Sequence, residues 1–350
     1  MGLYLNLLKH IVYNNLNWVP EPSICTFLIT WRCELKCSMC SLPGMDDNGE
    51  MNTEQIKTVF SQLDCLDVVR ITGGEPFVRN DLKEIVRHII ETSNPSAIIL
   101  NTNGIQTQKI VEFARELGSS RFMFRVSLDA VGSKHDEIRG VEGAFEKTMS
   151  TLMEMVRLRE RLGFSLGINM TIMKRNMDQI VALQELSRQL GVDLHYQIAR
   201  DDRSLLEPRQ KRVGPRELSF FDSFTRGELE RIIEDIFKDS RGYNFKESLV
   251  KRYFHEGLKN RVLRGEKTPR PRCVSLTSHI RILPTGEVPI CIHSNERIGD
   301  LTKQDYREIW FGEEIEPYRR MVRDCPGCWI RCEMAPSAIY TGDILRALVW

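Results

Sequence analysis

Three thiols in one short loop carry the first chemistry the sequence offers: Trp31-Arg32-Cys33-Glu34-Leu35-Lys36-Cys37-Ser38-Met39-Cys40. The cysteines are separated by gaps of three and two residues, and the loop follows an apolar, β-branched run from Ile24 to Thr30. A loop this short can wrap three thiolates around three corners of a [4Fe–4S] cube, leaving the fourth iron without a protein ligand. That iron is then a Lewis-acid site open to a chelating small molecule. A structural zinc site wants four ligands, and no fourth Cys or His lies close by; His10 is the only upstream histidine.

A second group stands near the C-terminus: Cys273, Cys291, Cys325, Cys328 and Cys332. Cys273 precedes an apolar run over 278–283, the turn Pro284-Thr285-Gly286-Glu287, a run over 288–290 and then Cys291. This spacing predicts a β-hairpin with a cysteine at each base. Cys325-Pro326-Gly327-Cys328 adds a CxxC knuckle. The two pairs can converge on a four-thiolate site, and both a zinc ribbon and an iron–sulfur cluster satisfy that arrangement. Cys25 and Cys65 stand apart. Close cysteine spacing in a chain with no secretory signal points to metal sites in a reducing, cytoplasmic compartment rather than to disulfides.

The triad after an apolar strand resembles the signature of the radical S-adenosylmethionine (SAM) enzymes, which place it after the first strand of a partial (β/α) barrel. The resemblance implies that Cys33, Cys37 and Cys40 hold a [4Fe–4S] cluster whose open iron chelates the amino and carboxylate groups of SAM. Reduction by a carrier of flavodoxin or ferredoxin type then cleaves SAM to methionine and a 5′-deoxyadenosyl radical, which takes a hydrogen atom from substrate. Thr72-Gly73-Gly74-Glu75-Pro76 is similar to the family's GGE motif, which contacts the amino group of SAM. In Leu100-Asn101-Thr102-Asn103-Gly104, Asn101 and Asn103 are either cofactor contacts or an Asn-Gly turn into a helix. Ser127 at a strand end, with Arg139 after it, resembles the family's contacts to the SAM ribose or carboxylate; a surface ion pair of Arg139 with Glu137 or Asp136 is the competing reading.

The C-terminal cysteines resemble the SPASM/twitch extension of the same superfamily, including its Cys–Gly–Cys hairpin and its Glu308-Ile309-Trp310 helix. Full SPASM domains carry seven cysteines for two auxiliary clusters. Five imply the shorter twitch type, with one auxiliary [4Fe–4S] cluster on Cys273, Cys291, Cys325 and Cys328. Cys332 is surplus: it replaces one of these ligands, donates a hydrogen atom as a catalytic residue, or is merely buried.

Elements able to position these groups follow from periodicity. Strands are expected over 24–30, 68–72, 97–101, 122–128, 165–172 and 193–197, with helices over 53–63, 82–92, 106–117, 145–162 and 177–190. Such alternation reads as parallel βαβ units. With the cysteine loop at a strand end, the expected fold is an α/β, partial (β/α)6 TIM-like barrel with a small C-terminal α+β extension. Asn169 and Thr171 alternate with apolar residues and could face the lumen, while His195 reads as a satisfied core histidine. Organisation is expected as an N-terminal amphipathic helix (1–23), the barrel (24–198), a helical linker (199–272), the cluster domain (273–335) and a tail (336–350). Within the linker, the charged run over 201–212 reads as a solvated connection. Helices are expected over 226–238 and 245–263, with Lys251, Arg252, Lys259, Arg261 and Arg264 as a solvated face.

Formal net charge is +1, so nucleic acid is not expected as a partner. Residues 1–18 are too short and too polar to span a bilayer, although their apolar stripe could cover the barrel end or touch a membrane surface. The expected activity is hydrogen abstraction from an unactivated C–H bond, leading to oxidation, epimerisation or crosslinking. Its substrate would be a peptide or protein, or a sugar-like or lipid-linked small molecule. A non-catalytic iron–sulfur electron-transfer protein, or a zinc-stabilised binding module, is the alternative.

Overall fold

The computed structural model describes residues 3–40, 42, 47–200, 222–239, 245–325 and 327–349; the charged run over 201–212 lies outside the described residues. Six parallel strands follow one another in space as in sequence: β1 (Ile24–Leu28), β2 (Val68–Thr72), β3 (Ala97–Thr102), β4 (Phe122–Ser127), β5 (Ser165–Ile172) and β6 (Asp193–Ile198). The helices are α1 (Leu3–Leu16), α2 (Thr53–Ser61), α3 (Leu82–Ser93), α4 (Thr107–Leu117), α5 (Ser133–Arg139), α6 (Ala144–Leu162) and α7 (Ile180–Leu190). Then come α8 (Arg226–Lys238), α9 (Phe245–Lys259), α10 (Tyr306–Phe311), α11 (Glu316–Asp324) and α12 (Arg331–Tyr340).

Side-chain alternation sorts the sheet into two faces. On β2, Val69 and Ile71 are fully buried, while Val68, Arg70 and Thr72 turn the other way and keep some surface. The helix-covered face is closed by the stripes Leu82, Ile85, Val86 and Ile89 of α3 and Ile110, Val111, Phe113 and Ala114 of α4. Phe113 lies edge-on to Phe77, Phe122 and Phe124, which ties α4 to β4.

The C-terminal segment departs from the expected hairpin. Residues 278–283 supply β7 (His279–Ile282), which pairs in parallel with β1 and becomes a seventh strand of the barrel sheet. β8 (Glu287–Pro289) pairs instead with β9 (Arg297–Asp300), antiparallel. The reason lies in the β7 residues. Ile280 and Ile282 join the main apolar core, and the otherwise bare edge of β1 supplies the hydrogen-bonding partner.

The sheet remains open between β6 and β7. The first turn of α12 spans its concave side: Arg331 N donates to Gln197 Oε1 on β6, Arg70 Nη1 on β2 donates to Cys332 O at 3.0 Å, and Glu333 pairs with Arg281 on β7. At the opposite end, α1 is pinned where β1, β2 and β7 begin, through Asn6–Asp67 and His10 Nδ1–Ser278 Oγ (2.8 Å). Leu5, Leu8, Val12 and Leu16 of α1 stay exposed. Among the described residues no helix is long and apolar enough to cross a membrane.

Lys251 does not belong to a solvated face. It is buried, 3.1 Å from Asp239 and 3.8 Å from Asp193, because α9 packs that side onto α8 and β6. Arg261 lies 3.9 Å above the buried Trp329 ring, which also stacks on Tyr253 and Phe254. This stack locks the linker helices to the knuckle around Cys328. A Cβ on Gly257 would fall 1.9 Å from the Trp329 ring. Gly257→Ala should therefore destabilise the protein by about 1–3 kcal/mol through overpacking, read as a fall in midpoint temperature of thermal unfolding.

Candidate active site

The cysteine loop is held on three sides by backbone and carboxylate contacts. Thr30 Oγ1 and Trp31 N both donate to Glu50. Gly74 N and Glu75 N donate to Thr30 O (2.7 Å) and Arg32 O (2.8 Å). Lys36 N and Ser38 N donate to Arg139 O and Ile138 O at the end of α5, each 3.0 Å. These contacts explain the glycine pair. A Cβ on Gly74 would lie 2.0 Å from Arg32 O, and Gly73 has φ +126 with its Cβ position 2.5 Å from Thr30 O. The close approach that glycine permits here is to the cysteine loop itself.

Around the loop opens a cleft of about 380 Å³, lined by Cys33, Cys37 and Cys40 together with Gly73, Gly74, Glu75, Asn101, Asn103, Ser127 and Arg139. The residues expected to hold the cluster and SAM thus meet at one place. Glu75 is buried, and its carboxylate accepts from Thr102 Oγ1 (2.8 Å), Asn103 N (2.6 Å) and Phe77 N (3.2 Å). Asn103 Oδ1 caps the Asn-Gly turn at Ile105 N, as one reading of its motif expected, and its Nδ2 lies 3.9 Å from Cys33 Sγ. Asn101 Oδ1 accepts from Asn169 Nδ2 at 3.5 Å, and Thr171 also lines the cleft.

Arg139 makes no surface ion pair with Glu137 or Asp136. It is buried, 2.8 Å from Asp129 Oδ2, with Nη1 3.7 Å from Cys37 Sγ. Asp129, one residue beyond the strand-end Ser127-Leu128, is the positioning carboxylate that sequence reasoning missed. Its buried position after a strand of alternating pattern was the available signal. Gln197 and Arg200 of the cleft were missed too; Arg200 keeps Nε and Nη1 buried without a hydrogen bond among the described residues. His195 is buried outside the cleft lining, with Nδ1 3.2 Å from Glu247 Oε1 but neither ring nitrogen in hydrogen-bond alignment, so it is not the satisfied histidine expected.

The thiols show a shared local geometry that fits sulfur-bound metal. Cys33, Cys40, Cys273, Cys291, Cys325 and Cys328 each accept from the amide two residues on: Leu35, Leu42, Ser275, His293, Gly327 and Ile330. Such amides favour thiolate and tune a cluster's potential. Burial still pushes the free thiols up, Cys33 and Cys291 to about 11 and Cys328 to about 12, so loading metal must release protons. Burial raises the Cys273 thiol too, with the nearby Cys328, Cys325 and Cys291 adding to it, while Cys328 feels Cys332 more than Cys291. Among the described residues no three Cys, His, Asp or Glu side chains already stand arranged to hold one metal ion.

Cys332 differs. It sits in the first turn of α12, where Met334 N is committed to Ile330 O, and its side chain lines a second cavity. Cys65 differs in another way, its thiol donating to Pro22 O at 3.2 Å, and Cys25 is sealed in the core.

Comparison with known proteins decides the identity of this arrangement. Residues 27–186 match the model of the radical SAM superfamily, and residues 273–333 match that of an iron–sulfur cluster-binding domain, SPASM. The chain is a radical SAM enzyme. It is 28% identical over 363 residues to an AdoMet-dependent heme synthase of Methanosarcina barkeri, covering 93% of this chain and 95% of that one. It is 30% identical to a GTP 3',8-cyclase of Aquifex aeolicus over 48% of this chain, but covers only 53% of that protein. Among solved structures, Streptococcus suis SuiB bound to S-adenosylmethionine superposes with TM-score 0.61 at 16% identity, over 88% of this chain and 70% of that one. The peptide- and AdoMet-bound anSMEcpe gives 0.60 at 14% identity, over 94% and 96%. These superpositions bear out the partial-barrel fold. The cofactors of this radical SAM enzyme are a SAM-binding [4Fe–4S] cluster, SAM and auxiliary iron–sulfur.

Burial, outweighing the three hydrogen bonds it accepts, raises the Glu75 carboxyl from near 4.5 to about 8. The unfolded chain releases this proton first, so the group's contribution to stability is complete below pH 4.5 and lost as pH rises to about 8. Without SAM, the stability of Glu75→Gln relative to wild type should therefore improve by a few kcal/mol across that window. Denaturant unfolding at closely spaced pH values reads the difference, and equal slopes would contradict the assigned environment.

Proposed function

We propose that the enzyme abstracts a hydrogen atom from an unactivated C–H bond of a substrate seated beside the SAM cleft. The observation that supports this most directly is that the cleft runs into a second cavity of about 310 Å³: Leu42, Thr72, Gly73 and Asn101 line both. In this reading Cys33, Cys37 and Cys40 hold the SAM-binding cluster, and Cys273, Cys291, Cys325 and Cys328 hold one auxiliary cluster. When bound, these groups supply the one-electron cleavage of SAM and an electron store on the far side of the lumen.

The chain's own residues bind and orient. Glu75 accepts from the ammonium of SAM, aimed by Thr102 and Asn103. Arg139, held by Asp129, offers its fork to the SAM carboxylate, a geometry that lysine would not reproduce. Ser127 and Asn101 meet the remaining polar groups of the nucleoside. Leu28, Trp31, Leu42 and Ile292 in the second cavity keep water from the reacting carbon. Cys332 faces substrate there and is not an obligatory cluster ligand. The cavity volume suits a small molecule or one side chain of a peptide. Peptide-bound SuiB and anSMEcpe, and the heme synthase similarity, support both substrate forms. A flavodoxin- or ferredoxin-type carrier completes the set of partners.

Anaerobically reconstituted, reduced protein given SAM should form 5′-deoxyadenosine, and Cys33→Ala, Cys37→Ala or Cys40→Ala should abolish it. Iron analysis should give about eight irons per chain, from two four-iron clusters, falling by half in Cys328→Ala and unchanged in Cys332→Ala. Zinc at the C-terminal site, or loss of auxiliary iron in Cys332→Ala, would refute the ligand assignment.

A further inference from the structure

The cations of this interior are nearly all answered by carboxylates. Arg139 meets Asp129, Arg281 meets Glu333, Arg331 meets Glu247, and Lys251 meets Asp239 and Asp193. Arg125 makes no ion pair among the described residues but feels Glu247 and Asp193, and Arg200 borders residues outside the described set. Arg70 is the exception inside the second cavity. Its Nη1 donates only to neutral oxygens, Cys332 O at 3.0 Å and Thr26 Oγ1 at 3.4 Å. No carboxylate lies within ion-pair distance of it among the described residues; the charges near it are Arg281, a second cation, and Cys332 when that thiol is ionised. Protein packs around it so closely that burial lowers its pKa, yet it keeps surface, and it lines the cavity.

An uncompensated guanidinium in such a place is costly unless an anion joins it. Two arginines line the cavity, no carboxylate does, and Glu333 from behind the wall answers Arg281. Glu333 Oε2 is also 3.6 Å from His279, whose Nε2 meets Thr26 Oγ1 at 2.8 Å. Burial holds His279 well below its ordinary value and so uncharged. One positive charge is left over. Leu28, Trp31, Leu42 and Ile292 give the cavity an apolar wall, beside the smaller polar groups of Thr26, Thr72 and Asn101.

We propose that Arg70 is the seat for a single carboxylate of the substrate, whose apolar carbon chain fills the rest of the cavity toward the SAM cleft. This deepens, and rests on, the reading that the second cavity holds substrate. A monoanion matches the one unanswered charge, and the planar fork suits a carboxylate. Register also bears on the reacting carbon. Arg70 and Thr72 share one face of β2, and Thr72 borders both cavities. Two strand residues span about 7 Å, so the carbon brought to the cleft lies several bonds from the anchored carboxylate.

The test uses the cluster-loaded enzyme with SAM bound and no reductant, so that binding is read without turnover. Octanoate and octanamide serve as probes, titrated by calorimetry or ligand-observed NMR. Octanoate should bind saturably, and octanamide at least about tenfold more weakly. Arg70→Gln should weaken octanoate by a similar factor, while Arg70→Lys, which keeps the charge but loses the fork, should recover part of it. Should Arg70→Gln fail to load its iron, the acid–amide ratio in wild type and in Arg70→Lys decides. Equal affinity for acid and amide, or octanoate binding unchanged in Arg70→Gln, overturns the proposal. Wild type that cleaves SAM but shows no preference for octanoate overturns the carboxylate seat alone. Wild type that cannot cleave SAM overturns the enzymatic reading, while the binding arm still reports on Arg70.

Discussion

Backbone-to-backbone contact between the cysteine loop and its two neighbours is the constraint from which the rest of the site follows. Thr30 and Arg32 receive amides from the Gly73-Gly74-Glu75 turn, and Lys36 and Ser38 donate to the end of α5. The loop cannot move without breaking both seams. Because the β2 turn is sewn to the loop, Glu75 arrives at a fixed height above the thiols, and Asn103 follows because its amide is bonded to Glu75. Because the end of α5 is sewn to the loop, Arg139 arrives beside Cys37. The positions of Glu75, Asn103 and Arg139 around the thiols are thus set by main-chain geometry.

Much of this was legible in the sequence, for identifiable reasons. The six strands and their helices repeat with clear apolar periods, and the thiol triad has a spacing few other sites share. Side chains at strand ends could be nominated because parallel barrels gather them on one side. What was not legible depends on long-range pairing. Nothing local tells β7 to lie beside β1 rather than fold back on β8, since a turn at Pro284–Glu287 serves either arrangement. Lys251 looked solvated because its carboxylate partners, Asp193 and Asp239, sit on other elements. Asp129 escaped notice because an aspartate after a strand is usually just a turn residue. The helix α5 was hidden by its brevity.

Most of the charge inside the lumen is organised as ion pairs, with Arg139, Arg281, Arg331 and Lys251 each tied to a carboxylate brought in by another part of the chain. Such pairs contribute little net stability once desolvation is counted, but they fix which elements must meet. Glu333 on α12 shows this well. By meeting both Arg281 and His279 it settles where the first turn of α12 can enter, and with it where Cys332 faces. Six of the eight thiols in the two cysteine groups accept a backbone amide, whereas Cys37 meets Arg139 instead and Cys332 lines the second cavity.

The parallel pairing of Ile24 with His279 and its neighbours has a consequence for how the molecule is made. During translation β1 emerges long before the strand that covers its outer edge, with five strands and most of the helices made in between. Until then a strand buried along its whole length in the finished protein presents open hydrogen-bonding groups to the cell. The nascent barrel is therefore an aggregation hazard throughout that interval. Cutting the chain after β6 would make that exposure permanent, so the barrel and the cysteine-rich C-terminal part form one folding unit.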